Sequence, residues 1–373
     1  MGTLTTGGLE GVVAGRTAIC TAEAAGDTLF YRGFDVADLA AQASYEEVAY
    51  LLLYGELPNA AQLSDFRTRL AGQRELPPDL KTLLERLPAA AHPMDVLRTG
   101  VSVLGCLEPE SEDVTALAER LLARLPAMLL YWHQFHTRGQ RIDLGSPAAD
   151  LTGHFLHLLH SRAAEEIYRR ALEVSLILYA EHEFNASTFA ARVITSTRAD
   201  FYSAIAGAIG ALRGPLHGGA NEAAMALIAS FGGADEAEHG ILERLARKEL
   251  IMGFGHRVYK RRDPRSPIIK QWARRLGEEA RDTQHYAIAE RIEAVMRREK
   301  RLFPNLDFYS ALVYRACGIP ASLFTPIFVI ARSAGWAAHI IEQRQDNRLI
   351  RPLAEYVGPA PRAYISLAER SRV

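Results

Sequence analysis

The stretch Gly253-Phe254-Gly255-His256-Arg257-Val258-Tyr259-Lys260-Arg261-Arg262-Asp263-Pro264-Arg265 carries the densest chemistry in the sequence. Its two glycines let backbone approach a ligand closely. Five cations, Arg257, Lys260, Arg261, Arg262 and Arg265, stand against one Asp263. Such a cluster suits a phosphate-sized target, and it also suits a solvated charge run after a turn. It is neither a dinucleotide fingerprint, lacking the third glycine and the preceding strand, nor a P-loop. His217, within Gly214-Pro215-Leu216-His217-Gly218-Gly219, precedes a helix expected over 220–230. The positive end of that helix opposes protonation of the imidazole. A neutral imidazole there can donate a hydrogen bond to a carbonyl oxygen that becomes enolate-like, or it can cap its own turn. Asp307, in Phe303-Pro304-Asn305-Leu306-Asp307, reads as a poised base or as a helix cap. Arg332 and Arg351 stand alone near apolar sequence, which suits bidentate carboxylate recognition or ordinary salt bridges. The inventory suits proton abstraction beside a carbonyl, with polyanionic partners clamped in place.

Other histidines compete for attention. His154, His157 and His160 recur at helical spacing, but no carboxylate completes an HExxH pattern, and His182-Glu183 does not complete one either. Packing or solvation is the expected fate of these residues and of His133 and His136, so no metal is expected. Cys20, Cys106 and Cys317 are odd in number and form no CxxC pair, which favours a reducing compartment. Met1-Gly2 with Thr6 matches a bare myristoylation pattern and no secretory signal is visible. Apolar runs such as Phe324–Ala331 are far shorter than a membrane span. Forty-three basic and 44 acidic residues give a net charge of −1, which argues against a global polycation for nucleic acid. The expectation is a cytoplasmic protein without nucleic-acid or membrane partners.

Helical punctuation must position these groups. Ser44-Tyr45-Glu46-Glu47 predicts a capping box, with Gly55 as the left-handed stop, and Asn59 with Gln62 repeats the box. Thr325-Pro326 opens a helix expected to run to about Arg344. Thr17–Cys20 and Thr28–Tyr31 are expected to pair as a small hairpin across Gly26-Asp27. The fold class is all-α with this minor N-terminal β-hairpin. The 373 residues suit one large or two modest domains. The change from small, apolar Ala204–Leu212 to the charged Arg244–Arg301 segment suggests a second domain of about a hundred residues inserted into a larger helical one. A cleft between them would suit a ligand.

At these residues the sequence resembles the citrate synthase family. The run Gly253–Arg265 looks like the family signature, and GPLHGGANE around His217 and FPNLDFYS around Asp307 match its other two catalytic segments. All three occur in the family's order, and the similarity extends from about Gly8 to Pro361. The resemblance implies a homodimer, with a large domain (1–217 and 325–373) and a small mobile domain (218–324) that closes over the substrates. It implies a metal-free, cofactor-free Claisen-type condensation of an acyl-CoA with oxaloacetate, followed by thioester hydrolysis. Asp307 would take the α-proton, His217 would stabilise the enol, and His256 would protonate the oxaloacetate carbonyl. His182, Arg265, Arg332 and Arg351 would hold oxaloacetate, Arg351 reaching across from the partner subunit. Leu250, Ile251, Met252, Gly253, Phe254 and Gly255, with Lys260 and Arg261, would receive coenzyme A.

Segments such as HPMDVLRTGVSVLGC, GHFLHLLH and GWAAHIIEQRQDNRLIRP resemble most the branch of the family that uses propionyl-CoA and forms 2-methylcitrate. Tyr179 and Leu306 stand where acetyl-CoA-specific relatives tend to carry His and Val. Side activity on acetyl-CoA is expected, because one methylene in a pocket is worth only about 1–3 kcal/mol. Arg257 departs from the Pro found in some close relatives, which bears on the coenzyme A contact. Two other readings are a non-catalytic helical coenzyme A-binding protein and a His-dependent metallohydrolase, the latter sensitive to chelators.

Overall fold

The computed structural model describes residues 8–9, 11–23, 27–111 and 113–370. Met1, Gly2, Thr6 and Gly26 lie outside the described residues. Near the N-terminus, β1 (Cys20–Glu23), β2 (Thr28–Tyr31) and β3 (Phe34–Asp35) form an antiparallel sheet in that order. The second strand falls where the sequence predicts it, whereas the first begins at Cys20 rather than Thr17 and an unpredicted third strand follows. The register pairs Cys20 with Tyr31 and Glu23 with Thr28. The expected turn at Gly26-Asp27 includes Gly26, which lies outside the described residues. Thr17 Oγ1 accepts the Ile19 N–H at 3.1 Å, a local bond that bends the chain before the strand begins.

Helices make up most of the remainder. In chain order they are α1 (Val36–Gln42), α2 (Tyr45–Tyr54), α3 (Ala60–Gly72), α4 (Pro78–Arg86), α5 (Pro93–Leu107), α6 (Val114–Arg138), α7 (Leu151–His160) and α8 (Glu166–Tyr179). They continue with α9 (Ala186–Ser196), α10 (Phe201–Leu212), α11 (Ala220–Ala229), α12 (Ala234–Ala246), α13 (Ser266–Glu279), α14 (Gln284–Lys300), α15 (Leu306–Ala316) and α16 (Phe324–Gln345). The expected boxes cap α2 and α3: Ser44 with Glu47, and Asn59 with Gln62, exchange side-chain and backbone bonds. Gly55 ends α2 at φ 92°, a left-handed value that favours glycine.

The last long helix, α16, lies at the centre of the core, against α2, α5, α6, α8, α9, α10 and α11. Its start falls at Phe324, after a 3-10 turn over Ala321–Leu323. Pro326 sits in the first turn, where a missing N–H costs nothing. The helical stretch Ala321–Gln345 is long and apolar enough to cross a membrane, with mean hydropathy 1.3, contrary to the expectation from the short run Phe324–Ala331. Buried residues make up 94% of its apolar window, so the other helices cover this surface. Elsewhere, α13 and α11 pack on α15, and α12 packs on α14. Both α13 and α15 also touch α8, the helix that ends at Tyr179.

Candidate active site

Two separate sequence motifs form one unit. Residues 253–255 run antiparallel to 303–305: Gly255 N–H donates to Phe303 O at 2.8 Å, and Asn305 N–H donates to Gly253 O at 2.9 Å. Asn305 Nδ2 adds a bond to Gly255 O at 3.1 Å. Gly253 sits at φ 88°, and a Cβ there would come within 2.9 Å of the Phe308 ring. Conformation and space both require glycine. Asn305 also caps α15, its Oδ1 accepting the Asp307 N–H at 3.1 Å. The cap is therefore Asn305, and the Asp307 carboxylate is left for other work. It accepts the Tyr179 hydroxyl at 2.5 Å. Burial pushes the Asp307 carboxyl up to about 6, against the opposing effect of the tyrosyl hydrogen bond.

Asp263 ties the same loop to α15. Its carboxylate takes Arg265 Nε and Nη2, each at 2.9 Å, and also the Leu306 N–H at 3.1 Å. Both partners are buried, at 0% and 5% exposure. Burial opposes the Asp263 charge, but the Arg265 guanidinium outweighs it and holds the carboxyl below its ordinary value. A planar fork used bidentately on Asp263 keeps Arg265 rigid while its remaining nitrogen stays available.

Three rings gather beside this pair. His182, in the connection from α8 to α9, lies 4.9 Å from the His256 ring and 5.5 Å from that of Tyr259, centroid to centroid. His182 Nε2 is 3.1 Å from the Tyr259 hydroxyl. His256 Nδ1 accepts the N–H groups of Val258 at 3.1 Å and Tyr259 at 3.3 Å. An accepting Nδ1 puts the ring proton on Nε2. Burial, then the Arg265 charge, lowers His256 to about 4, and the same two causes hold His182 well below its ordinary value. Both rings are neutral donors at pH 7.

His217 is fixed from α9 instead of from its own helix. The ring Nε2 accepts the Ser187 N–H at 3.3 Å and lies 2.8 Å from Ser187 Oγ, which in turn accepts the Trp336 indole N–H at 3.1 Å. His217 therefore does not cap its own turn, and its proton sits on Nδ1. Burial first and Arg332 second lower it to about 4. Phe328, Arg332 and Trp336 are spaced one turn apart on α16. Phe328 packs against Tyr179 at 4.5 Å, His217 at 6.0 Å and the Arg332 guanidinium at 4.8 Å. Arg332 donates from Nε to Tyr179 O at 2.7 Å, while its buried Nη1 has no partner. An unpaired guanidinium N–H in a buried site calls for an anionic ligand.

Behind His182, the His339 ring lies 2.9 Å from Glu181 Oε1 and 2.9 Å from Arg192 Nη1. A Cβ on Gly335 would overlap Glu181 Oε2 and the Ala180 carbonyl oxygen, so glycine lets α16 approach this connection. Phe328, Asp263, Ser187, Tyr259 and Trp336 were not singled out from the sequence. The α16 face at 328, 332 and 336 was a readable signal. Ser187 and Tyr259 matter through contacts that no local spacing encodes.

Leu250, Ile251 and Met252 line an open cavity of about 290 Å³ with Ala223, Ala226, Leu227 and Arg244. Lys260 donates to Arg257 O at 3.1 Å, and Arg261 pairs with the buried Asp27 at 3.1 Å. Arg351 is not brought to the cluster within one chain: it is exposed on the segment after α16 and forms no hydrogen bond or ion pair among the described residues. His154, His157 and His160 fall on α7 and His133 and His136 on α6, and none of them joins the cluster. Among the described residues no three His, Cys, Asp or Glu side chains are grouped to hold a metal.

A buried carboxylate, two neutral imidazoles with opposite tautomers, and an unpaired guanidinium make a set that can remove a proton, polarise two carbonyls and hold a carboxylate. Known proteins with this chain's sequence pattern and fold agree. Residues 8–353 match the family model described as citrate synthase, C-terminal domain. The chain is 52% identical to the 2-methylcitrate synthase of Shewanella oneidensis over 369 residues, 98% of each chain. It is 41% identical to citrate synthase 2 of Bacillus subtilis, covering 98% of this chain and 99% of that one. The citrate synthase of Thermoplasma acidophilum, solved in ternary complex with carboxymethyl coenzyme A and oxaloacetate, superposes with a TM-score of 0.90 at 34% identity, over 97% of this chain and 98% of that one. The motifs, the helical architecture and near-complete coverage lead to one conclusion: the chain belongs to the citrate synthase family.

Proposed function

We propose that this chain is a 2-methylcitrate synthase, condensing propionyl-CoA with oxaloacetate and hydrolysing the resulting thioester to 2-methylcitrate and coenzyme A. The buried Asp307 carboxylate, set among neutral His217 and His256 and the unpaired Arg332 guanidinium, carries the reading. A thioester α-proton is far less acidic than a carboxylic acid, so base strength alone does not remove it. Asp307 takes the proton from the α-carbon while His217 Nδ1–H stabilises charge on the thioester oxygen. The enol carbon bonds to the oxaloacetate carbonyl carbon, and His256 Nε2–H gives its proton to that carbonyl oxygen. Water then adds to the thioester carbonyl and expels coenzyme A as its thiol, and the proton held by Asp307 returns to His256 through solvent. His182, Arg265 and Arg332 hold the oxaloacetate carboxylates, and the 250–255 backbone with Lys260 and Arg261 takes coenzyme A at the cavity beside α11 and α12. No step in this scheme calls on a metal or a bound cofactor.

Residues 218–324 are proposed as a small domain that closes on the large one (1–217 and 325–373), excluding water until condensation is complete. A homodimer completes the site through the partner's copy of Arg351. Exposed Leu353, Tyr356, Val357 and Tyr364 follow Arg351 on an extended segment, which suits a strap laid over a second copy. Free cysteines suit the cytoplasm.

The test is thiol release with oxaloacetate, comparing propionyl-CoA with acetyl-CoA under matched conditions. Higher kcat/KM with propionyl-CoA supports the reading, and preference for acetyl-CoA makes the enzyme a citrate synthase. Release with neither, while oxaloacetate still binds, leaves the non-catalytic binding protein.

A further inference from the structure

Asp307 is held by a chain of hydrogen bonds that reaches a third helix. The Tyr179 hydroxyl, 2.5 Å from Asp307 Oδ1, also lies 2.8 Å from Ser310 Oγ and 3.2 Å from Asn221 Nδ2. Asn221 Nδ2 is 3.1 Å from Ser310 Oγ. All three side chains are buried. Proton counting sets the directions. The Asn221 amide has two N–H groups and donates one to each oxygen. Ser310 Oγ–H is spent on the Leu306 carbonyl, 2.6 Å away on its own helix. The tyrosyl O–H then has the carboxylate as its acceptor, at the short distance of a bond to a charged oxygen.

We propose that Asn221, held by Ser310 and acting through Tyr179, is a positioning residue for the base: it aims the tyrosyl O–H at Oδ1 of Asp307 and leaves Oδ2 turned to the α-proton. The proposal rests on the reading of Asp307 as the base. Holding one oxygen fixes the rotation of the carboxylate, which a short helix-start side chain otherwise lacks. Donation from Asn221 polarises the tyrosyl O–H and strengthens its bond to the carboxylate. The other charged groups facing Asp307 are Arg265 and Asp263 from the 253–265 loop and Arg332 from α16. Neither arginine is bonded to Asp307, so Tyr179 is the contact that ties its orientation to α8 and α11.

The experiment measures kcat and KM against pH by thiol release with propionyl-CoA and oxaloacetate, for wild type, Tyr179→Phe, Asn221→Leu, Ser310→Ala and Asp307→Asn. Oxaloacetate binding by calorimetry reports folding of each. Tyr179→Phe keeps the ring packed on Phe328, so kcat is expected to fall roughly tenfold. The acid limb of its kcat profile moves up by about one pH unit. Asn221→Leu and Ser310→Ala move the limb the same way by less, with the KM for oxaloacetate unchanged. Should Asn221→Leu not fold, Ser310→Ala alone reads the relay. An acid limb unmoved in Tyr179→Phe, or moved there but in neither relay variant, overturns the proposal and leaves Asp307 as base. Turnover retained by Asp307→Asn overturns the base assignment and the proposal with it.

Discussion

His217 Nε2 accepts the backbone N–H of Ser187, in the first turn of α9. That N–H has no partner within its own helix, so the imidazole serves as a cap for α9 and is locked in one tautomer. Protonation would set N–H against N–H. The expected outcome is that His217, lowered to about 4, shows no titration between pH 5 and 8 and carries its proton on Nδ1. Nitrogen-15 shifts of labelled histidine measure both, and a midpoint near 6.5 refutes the assignment. An unfolded histidine binds a proton near 6.5, so the stabilisation is complete above that pH and is lost as pH falls towards the folded value.

Breaking the Asp263–Arg265 pair leaves a buried, uncompensated guanidinium. Asp263→Ala is expected to cost about 3–5 kcal/mol in urea denaturation at neutral pH. It also frees the Leu306 N–H that anchors the start of α15, so the KM for oxaloacetate rises and kcat falls. A variant as stable as wild type, with unchanged kinetics, sinks the idea that this pair fixes the loop against Asp307.

Glu46 on α2 lies outside the site and makes a separate prediction. It is 1% exposed, accepts the Leu151 N–H at 2.7 Å, and meets Arg67 only at 3.7 Å. Burial pushes its carboxyl from 4.5 up to about 7. The folded protein therefore holds this proton to higher pH than the unfolded chain. Its contribution is present below about 4.5 and is lost as pH rises through about 7. Relative to Glu46→Gln, the wild type is expected to lose roughly 1–3 kcal/mol between pH 4.5 and 8. A constant difference across that range contradicts the prediction.

Elements with local signals were legible in the sequence. The caps of α2 and α3 needed only residues within one turn of each other, and the three segments around His217, His256 and Asp307 were each continuous. What escaped was non-local. Asp263 was read as one acid among five bases, because its bond to the Leu306 N–H spans 43 positions. Asn221 lay inside a recognised segment, yet its bond to Tyr179 spans 42. The start of β1 was missed because cross-strand register, not β-propensity, decides it. The apolarity of α16 was underestimated because Arg332 and His339 interrupt the run, although both are buried.

On the proposed function, acyl choice is expected to turn on the residues nearest Asp307. Leu306, 1% exposed, immediately precedes Asp307, and Tyr179 bonds it. In the proposed site Leu306→Val removes one methylene beside Asp307, so the added methyl of propionyl-CoA is expected to lose a contact that acetyl-CoA never makes. The ratio of kcat/KM for propionyl-CoA over acetyl-CoA is expected to fall roughly tenfold, with oxaloacetate KM unchanged. Competition between the two thioesters, read as product ratio, measures this directly. A ratio unchanged in Leu306→Val moves selectivity away from α15, leaving Tyr179 and its Phe328 neighbour as the wall that tells the two acyl groups apart.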